Sequence, residues 1–115
     1  MSLDEIQTII GAAERTDFRG ADWPRLQRAL DNLEDMLMEP DASRAGNYAR
    51  LLGQRTAASF LKSADDRRQT STDTVQCLFS FVGCLHGRGM LDQGSYDMLK
   101  VDFFGYMDGQ GLFQG

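Results

Sequence analysis

The chain has 115 residues, of which 42% are hydrophobic and 25% are charged, and its formal net charge is −5. This length suffices for one domain with a real core and not for two. The acidic balance disfavours binding to nucleic-acid phosphates and fits a basic protein partner. Acids stand near the N-terminus where a secretory leader has bases, so we expect a cytoplasmic location and no membrane association.

Amphipathic spacing predicts five helices, and the first covers about residues 3–15. Ser2 and Glu5 have the spacing of a capping box, which satisfies orphan backbone amides at the start of a helix. The connection that follows contains Gly20, and we expect Phe18 to turn from this connection into the core. The first helix and the aromatic residue after it are therefore predicted to pack on the same core.

The second helix begins near Trp23 and Pro24, because proline fits the first turn of a helix. It ends before Pro40, since the residue that precedes a proline avoids the helical conformation. The third helix covers about residues 42–62, and Gly53 within it costs about 1 kcal/mol relative to Ala and marks a potential break. The leucines of the second helix recur with the spacing of one buried face; they are Leu26, Leu30, Leu33 and Leu37.

The run Val75–Leu85 has almost no polar side chains. It is too short to span a bilayer, and a helix that is apolar nearly all round is a buried one. We therefore predict residues 73–86 as the central buried helix. Cys77 and Cys84 lie seven residues apart on it, which places their Cα atoms about 10 Å apart and beyond disulfide reach. We expect both thiols to be reduced and buried.

The fifth helix covers about residues 93–107 and carries more large apolar side chains than one face can hold. Phe104 and Tyr106 fall off the face that carries Phe103 and Met107. Two alternatives remain open: the tail folds back over the bundle, or this segment is an oligomer interface that a second copy or a client protein covers. The residues of that interface are Phe103, Phe104, Tyr106 and Met107.

Together these elements predict an all-α fold, an irregular antiparallel bundle of about five helices that forms a single domain over residues 1–111. The polar segment 63–72 is expected to be a solvated connection. The last four residues, LFQG, have the form of a 3C-type protease tag site. We therefore expect 112–115 to be a flexible tail left from cloning, and we leave it out of the functional argument.

The strongest departure from an ordinary surface is an acidic strip at the end of the second helix. The stretch from Asp31 to Asp41 holds five acids and no base. Acids near a helix C-terminus oppose the macrodipole and cost about 0.3–1 kcal/mol each where they are exposed. Arg28 offsets this repulsion only in part. The strip is interpreted either as a solvated face or as a docking patch for a basic partner. It consists of Asp31, Glu34, Asp35, Glu39 and Asp41.

We find no motif for catalysis, for a cofactor or for a metal. Cys84 and His86 are two residues apart on one helix and point in different directions, so they form no nucleophile–base pair. Two ligands from one helix also do not make a zinc site. We expect His86 to interact with the C-terminal end of its own helix. The sequence therefore predicts a protein that is not an enzyme and that holds no metal or cofactor.

A small, acidic, helical chain without a catalytic motif is similar in kind to bacterial immunity proteins and phage-encoded inhibitors, which cover a target's active site or binding groove. The first hypothesis is therefore an inhibitor whose acidic strip covers a basic toxin or nucleic-acid enzyme. The alternative is a homo-oligomeric structural or assembly-chaperone protein that uses its apolar C-terminal helix. An enzyme would require a cleft that unites carboxylates with Tyr48, Tyr96 or His86.

Overall fold

The computed structural model describes residues 1–65 and 70–109, which form an all-α bundle. The prediction of five helices in this fold class is confirmed. The prediction for the tail at 112–115 lies outside the described residues, and so does the part of the polar connection at residues 66–69. The connection was predicted as 63–72, but α3 continues to Asp65 and α4 begins at Thr72. The helices are α1 (Leu3–Glu14), α2 (Trp23–Leu37), α3 (Ser43–Asp65), α4 (Thr72–Gly87) and α5 (Gln93–Gly109).

Polar side chains cap the helix starts, because the first amides of a helix have no partner within it. The Ser2 hydroxyl accepts a hydrogen bond from the amide of Glu5 at 3.2 Å, as predicted. At the start of α5, the carboxylate of Asp92 accepts from both the amide and the hydroxyl of Ser95. These hydrogen bonds lower the pKa of Asp92. The observed capping residues are Ser2, Asp22, Ser71 and Asp92.

Helix α4 packs against α3 and α5, and α3 also packs against α2, so α3 and α4 share the centre of the bundle. The outer line of α4 is exposed and contains Gln76 and Ser80, whose hydroxyl donates to the Gln76 carbonyl. Cys77 and Cys84 are free but only half-buried, because they flank this outer line. The expectation of full burial for both thiols was therefore wrong. The inner face of α4 is formed by Val75, Leu78, Phe81, Val82 and Leu85.

The connection between α1 and α2 contains two successive residues in the left-handed region, Asp17 at φ 52° and Phe18 at φ 63°. This conformation is unfavourable for residues with a side chain. The ring of Phe18 is buried, as predicted, and stacks on Phe81 with 4.1 Å between the ring centroids. Packing of Phe18 in the core therefore holds the turn in its strained shape.

Helix α3 continues through Gly53 without a break. A Cβ atom at this position would lie 3.2 Å from the carbonyl oxygen of Met90, in the connection between α4 and α5. The glycine therefore allows the backbone of that connection to approach α3 closely.

Candidate functional site

The acidic strip occupies the C-terminal half of α2 and the connection to α3. The side chains of Asp31, Asp35, Glu39 and Asp41 are exposed, whereas Glu34 is half-buried. Asp35 and Glu39 lie on either side of Met38, the C-cap residue that follows the last residue of α2. Because α2 ends at Leu37, Glu39 and Asp41 lie beyond the helix that carries Asp31, Glu34 and Asp35.

Asp31 differs from the rest of the strip because a base from another element pairs with it. The guanidinium of Arg88, just after α4, donates to the Asp31 carboxylate at 2.7 Å and to the Cys84 carbonyl at 3.5 Å. The side chain of Arg88 is only 18% exposed. Asp31 therefore helps to fasten α2 to the end of α4, and its charge is partly compensated within the chain.

The other four acids are not compensated in this way. Within 1–65 and 70–109, no Lys, Arg or His side chain forms an ion pair with Glu34, Asp35, Glu39 or Asp41. Met38 lies among them and is 84% exposed, more than any other large apolar side chain described. Apart from Asp31, the strip therefore forms no ion pair within these residues, and it carries an exposed thioether.

Two of the four residues predicted for an oligomer interface on α5 are buried in the chain itself. Tyr106 is 1% exposed and Met107 is 5% exposed. Phe103 is half-buried and stacks on Phe79, with ring centroids 4.2 Å apart. The expectation that Tyr106 lies off the core face was wrong, because α5 buries its last turn against the bundle. Of the predicted set, only Phe104 is exposed.

The outer face of α5 nevertheless carries apolar side chains. Met98 is 70% exposed, Val101 is 71% exposed and Phe104 is 47% exposed. We call these three residues the outer stripe of α5. Val101 was not among the predicted interface residues. Its position on the side of α5 opposite the core face could have indicated its exposure.

A partly buried group of titratable side chains lies between α1 and α3. Arg55 donates to the Glu14 carboxylate at 3.1 Å, and its guanidinium lies over the Tyr48 ring, 5.8 Å from the centroid. Burial raises the pKa of Glu14 and raises that of Tyr48 to about 12. Both acids therefore favour their neutral forms more than usual, and their contacts join α1 to α3.

His86 makes a different contact from the one expected. Its ring stacks on Tyr96 at 4.0 Å, and its Nε2 atom lies 2.8 Å from Oε1 of Gln93. The side-chain Nε2 atom of Gln93 donates in turn to the Asp97 carboxylate at 2.7 Å. This chain of contacts joins the end of α4 to the start of α5. Among residues 1–65 and 70–109, no cluster of three or more His, Cys, Asp or Glu side chains could hold a metal ion.

A cleft of about 280 Å³ lies between α1 and α2. Its lining is mainly apolar or small, and its charged residues are Asp22, which caps α2, and Arg25. The carboxylate of Asp22 is therefore already engaged in capping α2.

None of the helices in the described part of the chain is both long enough and apolar enough to cross a membrane. No protein-family model, no curated protein and no solved structure matches the chain.

Proposed function

We propose that this chain is a protein-binding module that docks a basic protein surface onto its acidic strip. The observation that carries the proposal is the exposed Met38 side chain, set between Asp35 and Glu39. A face that served only solubility would have no need of an exposed apolar side chain among its charges. A docking surface needs both, because an apolar contact gives up water while a surrounding ring of charges selects the partner.

The charges of the strip suit a partner that carries Lys and Arg on a compact surface. Charges act over about 8 Å at physiological ionic strength, so neighbouring carboxylates produce one combined field rather than separate ones. Such a field raises the rate of encounter with a basic surface. Methionine adapts its shape to the surface that it meets, which suits a central contact.

The class of partner that fits best is a basic toxin or a nucleic-acid enzyme. The substrate site of such an enzyme is shaped to receive phosphate groups, and a row of carboxylates offers comparable negative charge. The proposed module is thus an inhibitor or immunity-type protein of the bacterial or phage cytoplasm. In this proposal the module acts by covering a site and not by catalysis. Several of its titratable side chains are engaged in contacts between helices: Arg55 with Glu14, Arg88 with Asp31 and His86 with Tyr96.

The outer stripe of α5 favours a second candidate function, a homo-oligomeric structural or assembly-chaperone protein. Its support is the exposure of Met98 and Val101. This function would use a surface other than the acidic strip, so the two candidates can be separated by substitution.

The test of the docking proposal is affinity capture from the native host, followed by measurement of association rates with the recovered protein. We expect a partner with a basic surface. Reversal of Asp35, Glu39 and Asp41 to Lys should lower the association rate at low salt at least tenfold and remove most of its salt dependence.

The matched control reverses three acids elsewhere, Asp4, Glu5 and Asp65, and so makes the same change in net charge. Thermal unfolding verifies that both variants fold. The strip would be ruled out as the docking site if both variants bound the partner equally slowly. It would also be ruled out if the strip variant bound the partner as fast as the parent protein.

A further inference from the structure

The six methionines of the chain differ widely in how far solvent reaches their thioether groups. Met90 and Met107 are buried in the core, and Met36 is half-buried. Met38 and Met98 are largely exposed, and Met38 is the more exposed of the two. A dissolved oxidant therefore reaches Met38 far more readily than it reaches the methionines of the core.

We propose that Met38 is an oxidation site that controls docking on the acidic strip, an inference that rests on the proposed function. The oxidant is a peroxide. A lone pair of the Met38 sulfur attacks one oxygen of hydrogen peroxide, the O–O bond breaks, and the proton of the transferred oxygen passes to the departing hydroxide, which leaves as water. The sulfur is thereby oxidised to a sulfoxide and the peroxide is reduced. A polar S–O group then stands where the strip had an apolar side chain.

The backbone around Met38 is held by contacts that do not involve its side chain. The amide of Met38 donates to the carbonyl of Asp35 at 3.2 Å, and the amide of Glu39 donates to the carbonyl of Met36 at 3.2 Å. Because the Met38 side chain is 84% exposed, water solvates the added oxygen. Oxidation of Met38 should therefore leave the fold intact, whereas oxidation of a core methionine places a polar group among apolar ones.

The effect on docking follows from the position of the thioether beside exposed carboxylates. Asp35 and Glu39 lie on either side of Met38, so a basic surface that pairs with both also covers this side chain. Burial of a thioether is favourable, whereas burial of a sulfoxide removes water from a strong hydrogen-bond acceptor. The cations of the partner are engaged by the carboxylates and do not replace that water. We therefore expect the partner to dissociate about tenfold faster from the oxidised protein, an effect typical of a well-buried interface side chain.

Peptide mapping by mass spectrometry during a titration with hydrogen peroxide tests which methionines are oxidised first. Met38 and Met98 should each gain one oxygen before Met90 and Met107 do. Protein in which only the two exposed methionines are oxidised should unfold at the same temperature as untreated protein. Equal oxidation of Met38 and Met90, or a lowered unfolding temperature at this stage, would overturn the proposal.

The protein captured on the strip from the native host is the probe for the switch itself, and it is mixed with the chain after the peroxide has been removed. Dissociation from the oxidised parent and from oxidised Met98→Leu should both be about tenfold faster than before treatment. Met38→Leu is the matched control, because it keeps an apolar side chain and both cysteines but has no thioether at this position. Its dissociation rate should not respond to peroxide. A parent that is equally insensitive, or a Met38→Leu variant that is as sensitive as the parent, contradicts the proposal.

Reversal of the oxidation gives a second test. Methionine sulfoxide reductase with a dithiol releases the sulfoxide oxygen as water, oxidises the dithiol to a disulfide and should restore slow dissociation. Met38→Gln, which has a polar side chain of similar length, should dissociate about tenfold faster without peroxide. Failure of either result overturns the switch. A partner that docks on the strip but ignores oxidation refutes the switch alone, whereas a partner unaffected by charge reversal of the strip refutes the proposed function as well.

Discussion

Helices α2 and α5 both bury one face in the bundle, but they present opposite chemistry to solvent. The outer side of α2 ends in carboxylates that act over a distance and set no exact geometry. The outer side of α5 presents the apolar side chains of Met98, Val101 and Phe104 beside Asp97, Lys100 and Asp102. An apolar surface contributes to binding only at contact, whereas a charged surface also acts on a partner at a distance.

The two helices also differ in how well their sequence separates the faces. The leucines of α2 fall on one side, and all charged residues fall elsewhere. On α5 the large apolar side chains are distributed around the helix, so its inner and outer faces look alike in the sequence. Substitutions on the inner and outer faces of α5 should therefore differ clearly in their effect on stability.

The largest expected effect contrasts the inner and outer aromatic residues of α5. Tyr106→Ala should lower the free energy of unfolding by about 3–5 kcal/mol, because it empties a buried site. Phe104→Ala should cost about 1 kcal/mol or less, since this side chain is 47% exposed. Chemical denaturation at one low protein concentration measures both costs. Similar costs for the two variants would mean that the faces of α5 do not differ as described.

An intermediate effect separates Asp31 from the other acids of the strip. Arg88→Gln should lower the free energy of unfolding by about 1–2 kcal/mol, because it removes a charged hydrogen bond from a largely buried side chain. In the Asp31→Asn background the same change should cost less. The coupling in this double-mutant cycle is the measurement. Zero coupling would show that the pair of Asp31 and Arg88 does not fasten α2 to the end of α4.

The smallest expected effect has the opposite sign. Asp35→Lys should raise the free energy of unfolding by about 0.5 kcal/mol, because a cation near the C-terminus of α2 suits the helix dipole. Asp73→Lys makes the same charge change in the first turn of α4 and should lower it by a similar amount. Thermal melts at low ionic strength check the pair. Destabilisation by Asp35→Lys would mean that the strip is not costly to the fold, which would remove one reason to assign it a function.

Local patterns were sufficient to predict the helices and their starts. The leucine spacing of α2 and the capping residue Ser2 depend only on neighbours in sequence, and the structure agrees with them. These features follow from helix geometry and do not depend on how the helices are arranged.

Features that depend on the arrangement of helices were not predictable in the same way. The half-burial of Cys77 and Cys84 depends on which side of α4 remains open. The burial of Tyr106 depends on how α5 lies against its neighbours. The pairing of Asp31 with Arg88 joins residues far apart in the chain, and no periodicity in the sequence contains that information.

The left-handed pair Asp17 and Phe18 links the local shape of a short turn to a helix much later in the chain. The backbone energy stored there is offset only while the Phe18 ring rests on Phe81. An anchor in the middle of α4 consequently helps to hold the turn from which α2 begins. Residues far apart in the chain are thereby coupled through one pair of stacked rings.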